Sequence, residues 1–99
     1  MPIAPDIEKR IRDDSGDLAG EMLEQLAAFA GRHPELGDRI LRCLVYLAHG
    51  KIDRLGYAIQ TAESDWRDTI VQPEYEPRPG TKRFQGDYIQ VRDFNTPFA

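Results

Sequence analysis

The stretch LGDRILRCLVYLAHG, residues 36–50, decides how this chain must fold. Leu36, Ile40, Leu41, Cys43, Leu44, Val45, Leu47 and Ala48 cover most of a helical circumference instead of one stripe. A helix that is apolar nearly all round has to be surrounded. The pattern therefore predicts the central buried helix of a small bundle, starting at Glu35 or Asp38 and ending at His49. Gly50 supplies the left-handed residue that closes such a helix.

On the C-terminal side, Lys51, Ile52 and Asp53 lead at once into another helix. Ile52, Leu55, Ile59, Ala62, Trp66 and Ile70 recur at helical spacing, which predicts one helix running until Pro73 stops it. So short a link makes the two helices antiparallel neighbours or a tight angled corner. Toward the N-terminus, Pro34 forces His33 out of helical geometry and separates the central helix from an earlier helical segment. That segment starts at Pro5 and Asp6. Its apolar residues, Ile7, Ile11, Leu18, Met22, Leu26 and Phe29, keep one stripe across Ser15, Gly16 and Asp17. Two helices, with Ser15 or Asp17 capping the second, are favoured over one bent helix.

Residues 73–87 hold Pro73, Pro77, Pro79, Gly80 and Gly86, which is loop composition. Residues 88–92 read as a short strand, pairing with residues 74–76 or 82–85 in a small hairpin that must lean on the helices. Beyond it, Phe94 and Phe98 are too apolar for a solvated tail. Each is worth on the order of 2 kcal/mol when buried, a large share of the 5 to 10 kcal/mol expected for so small a domain. The arm is therefore expected to wrap back as a lid on the bundle. Pro97 stiffens it, and Asn95 and Thr96 cap a turn. A detachable recognition peptide is the competing reading. Arg92 and Asp93 are expected to fix the docking through Asp68 or Arg67. The fold class expected is thus mainly α: a three- to four-helix bundle carrying a short C-terminal β-hairpin or extended arm. It forms one domain over residues 1–99, helical to residue 72 and loop, hairpin and arm from 73.

Composition narrows the function classes. The 99 residues carry 17 acids and 13 bases, a net charge of −4, and neither half of the chain is a basic arm or an acidic tail. Binding to nucleic acid needs a clustered basic face. The helix-turn-helix reading of residues 48–54 places Glu63, Asp65 and Asp68 on the helix that would meet phosphate. The one cluster that could support such a regulator is Arg78, Lys82, Arg83 and Arg92. Cys43 is the single cysteine, so no internal disulfide forms. No signal peptide or membrane-spanning run is visible. A cytoplasmic protein without membrane contact is the simplest reading.

No catalytic constellation emerges. The pairs Asp13–Asp14, Asp65–Asp68 and Glu74–Glu76 raise the question of acid–base work, yet none sits in a motif, and a solvated charged face explains each. An enzyme would need two of these carboxylates in one pocket with raised pKa values. His33, His49 and Cys43 match no zinc spacing, and the helix dipole accounts for both histidines. No metal or cofactor is expected. Cys43 reads as an inert buried thiol. Trp66 with Arg67 has the composition of an interface hot spot, although its place on the stripe favours a core anchor, with Arg67 pairing to Glu63.

The blocks LRCLVYLAHGKIDRL (41–55), DWRDTIVQPEY (65–75) and VRDFNTPF (91–98) resemble a group of small uncharacterised bacterial proteins. That group has a D-[WY]-R-D helix and a closing V-R-D-F-N-x-P-F. The resemblance implies a shared helical fold to which the arm belongs, and it assigns no activity. Residues 78–86 are longer here than a minimal turn requires. Taken together, the sequence points to a small protein-interaction module without catalysis, binding itself as a homodimer or another protein. Tyr57, Trp66, Arg67, Tyr75, Phe84 and Tyr88 are its candidate contacts. Arg92, Asp93, Phe94 and Phe98 are the arm's docking residues.

Overall fold

The computed structural model describes residues 3–77 and 88–98. The chain is mainly helical, with a short antiparallel two-stranded hairpin near its C-terminus. Helix α1 spans Pro5–Ser15 and α2 spans Ala19–Arg32, with the 3-10 turn Gly16–Leu18 between them. Helix α3 follows at Gly37–Ala48, α4 at Ile52–Ser64 and α5 at Trp66–Glu74. Strand β1, Tyr75–Pro77, pairs with β2, Tyr88–Gln90, in the register Tyr75↔Gln90, Glu76↔Ile89 and Pro77↔Tyr88. The second partner considered for this strand, residues 82–85, lies outside the described residues.

Helix α3 is the hub that its sequence demands. It touches α1, α2, α4 and α5, and Ile40, Leu41, Cys43, Leu44, Val45 and Ala48 are all buried. Around it, Ile7 and Ile11 of α1, Met22, Leu26 and Phe29 of α2, and Leu55, Ile59 and Ala62 of α4 complete one core. His49 and Gly50 both take left-handed backbone conformations at its C-terminal end, with φ of 49° and 77°. A Cβ on Gly50 would stand 2.4 Å from the Asp14 carbonyl oxygen. Gly50 therefore provides the turn and also lets the α3–α4 corner touch the backbone of α1.

Four local readings are corrected. Neither Ser15 nor Asp17 caps α2, which has no side-chain cap, and the Ser15 hydroxyl is buried without a partner among the described residues. The expected fourth helix is two, because Asp65 is extended (φ −155°) and its side chain accepts the Arg67 amide at 3.1 Å as the cap of α5. A side chain that bonds nearby backbone competes with continued helix. The break also puts Glu63 and Arg67 on different helices, so they are not neighbours on one helical face. Glu63 instead accepts from Arg32 Nε at 3.1 Å and lies 3.0 Å from His33 Nε2, tying α4 to the end of α2. Finally, Trp66 is 42% exposed and no core anchor, since the break carries it off the α4 stripe.

Pro73 does not stop the helix; α5 runs on to Glu74. The C-terminal carbonyls of a helix need outside donors, and here the hairpin and arm supply them. Arg92 Nη1 donates to the Pro73 carbonyl at 2.9 Å. The Val91 and Arg92 amides donate to the Glu74 carbonyl at 2.7 and 3.2 Å.

Alanine at position 50 has both a left-handed backbone and the Asp14 carbonyl against it. Gly50→Ala is expected to lower unfolding free energy by about 2 kcal/mol or more. Gly56→Ala, in the interior of α4 with open space around its Cβ position, is expected to raise it by about 0.5–1 kcal/mol. Urea unfolding followed by circular dichroism measures both.

Candidate functional site

Two features stand out once the helices are in place: a polar clasp that holds the arm, and an open groove along α4. The clasp begins with Glu74, at the C-terminal end of α5, which is 0% exposed. A buried carboxylate is costly unless paired and hydrogen-bonded, and Glu74 is both. Arg39 of α3 grips it with two parallel bonds, Nε to Oε2 at 2.9 Å and Nη2 to Oε1 at 2.6 Å. Gln90 of β2 donates to Oε1 at 2.8 Å, and the Phe94 amide donates to Oε2 at 3.2 Å. The Cys43 thiol lies 3.8 Å from Oε2. Burial pushes Glu74 up, but the guanidinium, the Phe94 amide and Gln90 outweigh it and hold the carboxyl below its ordinary value.

The second half of the clasp is Arg42, one helical turn along α3 and 6% exposed. Its Nε and Nη2 meet the two carboxylate oxygens of Asp6 at 2.9 and 3.2 Å. Its Nη1 donates to the Phe94 carbonyl at 3.0 Å. Asp6 also accepts the Phe98 amide at 3.0 Å. The Arg42 bond and, against a lesser upward push from burial, the Phe98 amide hold Asp6 below its usual range. Phe94 is thus bound through both its backbone groups, its N–H by an anion and its C=O by a cation, while its ring is buried.

This differs from the expected docking of the arm. Arg92 and Asp93 do not reach Asp68 or Arg67. Besides Pro73, Arg92 meets Glu76 at 3.2 Å, and its guanidinium carbon sits 5.0 Å from the Tyr46 ring centre. Asp93 accepts the Asn95 amide at 3.0 Å and so caps the turn that Asn95 and Thr96 were expected to cap. Phe94 and Phe98 stack edge to face at 5.8 Å, and Phe94 lies 5.4 Å from Tyr46. The carboxylate pair Glu74–Glu76 is no solvated face, since Glu74 is buried. Sequence reasoning missed Asp6, Arg39 and Arg42 as site residues and misplaced Glu74 on a solvated face. Arg42 did carry a signal, because it lies between Leu41 and Cys43 on a helix that has no solvent side there.

Chemically the clasp is closed. Every bond Glu74 makes through its carboxylate is to a donor that also fixes structure, and Cys43 is pushed up to about 12, chiefly by burial and then by Glu74. Among the described residues no group of three or more His, Cys, Asp or Glu could hold a metal ion. No helix of the described residues is long and apolar enough to cross a membrane.

The open feature is a groove of about 570 Å³ where α4 faces the ends of α3 and α5. Leu47, Ala58 and Tyr57 give it apolar surface, and Arg54, Thr61 and Gln72 give it polar surface. Tyr57 is 74% exposed. The other candidate contacts lie apart from it. Trp66, with Arg67 stacked at 5.7 Å, borders a separate depression beside Arg39 and Asn95. Tyr75 and Tyr88 belong to the hairpin. Phe84, Arg78, Lys82 and Arg83 lie outside the described residues. No protein-family model, curated protein or solved structure matches the chain.

Three outcomes test the clasp. Glu74→Gln leaves Arg39 without its anion and sets an amide donor against either Gln90 or the Phe94 N–H, so a loss of about 3–5 kcal/mol is expected in denaturant unfolding. Phe94→Ala is expected to cost about 3 kcal/mol. Because both clasp carboxyls titrate low when folded, their stabilisation is complete above the unfolded carboxyl values near about 4. It disappears as the pH falls through the lower folded values. Acid unfolding monitored by tryptophan fluorescence is expected to begin below about pH 4, and at higher pH in Asp6→Asn.

Proposed function

We propose that this chain is a cytosolic protein-interaction module without catalysis, and that the α4 groove around Tyr57 is its contact face. The observation that carries this reading is Tyr57 itself. A large aromatic ring left 74% exposed on the wall of a groove of about 570 Å³ is surface that folding does not use. Tyrosine and tryptophan anchor protein interfaces when a pocket lies beside them. Val71, next to Gln72 on α5, is also exposed. Support for an absence of catalysis comes from the clasp, whose carboxylates are saturated with donors that hold the fold. A second copy is the simplest partner, because a short chain with a thin core gains stability by association.

Light scattering across a micromolar to millimolar series tests the self-associating form, with affinity capture from a host lysate as the companion measurement. The module reading expects either a mass near twice 11.3 kDa or a specific captured protein. In both cases Tyr57→Glu is expected to abolish the association while leaving the circular dichroism spectrum unchanged. A monomer that captures nothing, or an association indifferent to Tyr57→Glu, contradicts the reading.

A further inference from the structure

Charge beside the α4 groove is left unmatched in a chain that matches most of the exposed bases on its helices. Lys9, Arg10, Arg12 and Arg32 each hold a carboxylate of their own chain, and Arg67 lies on Trp66. Asp53 and Arg54, at the start of α4, are both exposed and both line the groove. Among the described residues, neither side chain has a hydrogen-bond, ion-pair or ring partner. Successive residues of a helix do not face each other, so these two opposite charges do not pair within the chain.

Their placement around Tyr57 carries the information. By the period of a helix, Asp53 falls to one side of Tyr57, while Arg54, Ala58 and Thr61 fall to the other. The hollow therefore opens on the Arg54 side of the projecting ring, where Leu47 of α3 and Gln72 of α5 complete it. A two-fold axis running along α4 exchanges the two sides. It sets the Asp53 edge of one copy against the Arg54 edge of the other, and each Tyr57 against the other copy's hollow. An antiparallel pair of α4 helices would instead set Arg54 edge against Arg54 edge. A symmetric contact needs a face that complements itself, and this face does so in the parallel sense. Asp53 and Arg54 are the only charged residues lining the groove among the described residues. The face thus carries no net charge to hold a strongly acidic or basic partner.

We infer that a second copy of this chain fills the α4 groove about a two-fold axis running along α4, with Asp53 of each copy paired to Arg54 of the other and each Tyr57 ring seated in the other's hollow. This rests on the reading of the groove as a contact face, and it adds the orientation of the two copies and the charges that fix it.

The test is charge complementation in the full chain, read by sedimentation equilibrium and native mass spectrometry. Wild type is expected to dimerise. Asp53→Arg and Arg54→Asp each set like charges against each other in both symmetric contacts, so each variant alone is expected to dimerise at least about tenfold more weakly. An equimolar mixture of the two variants restores both opposite pairs, and a heterodimer of near wild-type affinity is expected. Asp53→Arg brings the net charge of −4 closer to zero, so overall repulsion does not explain its loss. Both side chains are exposed and bond nothing in the fold, and circular dichroism checks each variant. The inference is overturned by single variants that dimerise like wild type, or by a mixture that fails to restore the dimer. A wild-type monomer overturns it as well. If that monomer captures another protein through Tyr57, the contact-face reading survives alone; if it captures nothing, both fall.

Discussion

One buried carboxylate organises this molecule. Glu74 ends α5, where the helix carbonyls need partners, and its side chain turns inward among α3, β2 and the arm. No lone charge survives there, so every element that surrounds Glu74 must bring a donor. Arg39 comes from α3, Gln90 from β2 and the Phe94 amide from the arm. That requirement fixes where the hairpin sits and where the arm crosses. The elements recruited by Glu74 also cap the Pro73 and Glu74 carbonyls that the helix end leaves open.

Arg42 and Asp6 repeat the device one turn along α3 and extend it to α1. Between them the two pairs hold the backbone of Phe94 by both its polar groups and that of Phe98 by its amide. Buried ion pairs are seldom worth much against a well-packed apolar alternative. Their value here is positional. Rings alone could seat on an apolar face in several registers, whereas backbone groups bonded to charges of opposite sign permit one. The fixed arm then sets Tyr46, Phe94 and Phe98 in a row, with Arg10 and Arg92 at its ends.

The helices were legible in the sequence because burial writes a period into it. The all-round apolar character of residues 40–48 marked α3 as the hub, and Gly50 marked the corner. What failed was local chemistry that overrides period. Asp65 reads as one more polar residue in a continuing stripe, yet its side chain caps a new helix and rotates Trp66 toward solvent. Pro73 reads as a stop, yet α5 runs on to Glu74. Glu74 and Glu76 are alike in sequence, and nothing within ten residues says that one is buried and the other exposed. That distinction depends on Arg39, 35 residues away. The clearest missed cue was Arg42, a charge set inside an apolar run, which demands a buried partner. Of the arm residues Arg92, Asp93, Phe94 and Phe98, Phe94 is buried and Arg92 bonds the end of α5, whereas Asp93 stays exposed and serves its own turn.

The account stands on the Phe94 amide being locked to a buried anion as part of the folded core. Native-state hydrogen exchange resolved by residue measures this directly. The Phe94 amide is expected to exchange with a protection close to that of the α3 core amides, such as Leu44, because releasing it means uncovering Glu74. Exchange of Phe94 at the rate of an unstructured peptide, while Leu44 remains protected, would show that the helices stand without the arm and would contradict the central role given to Glu74.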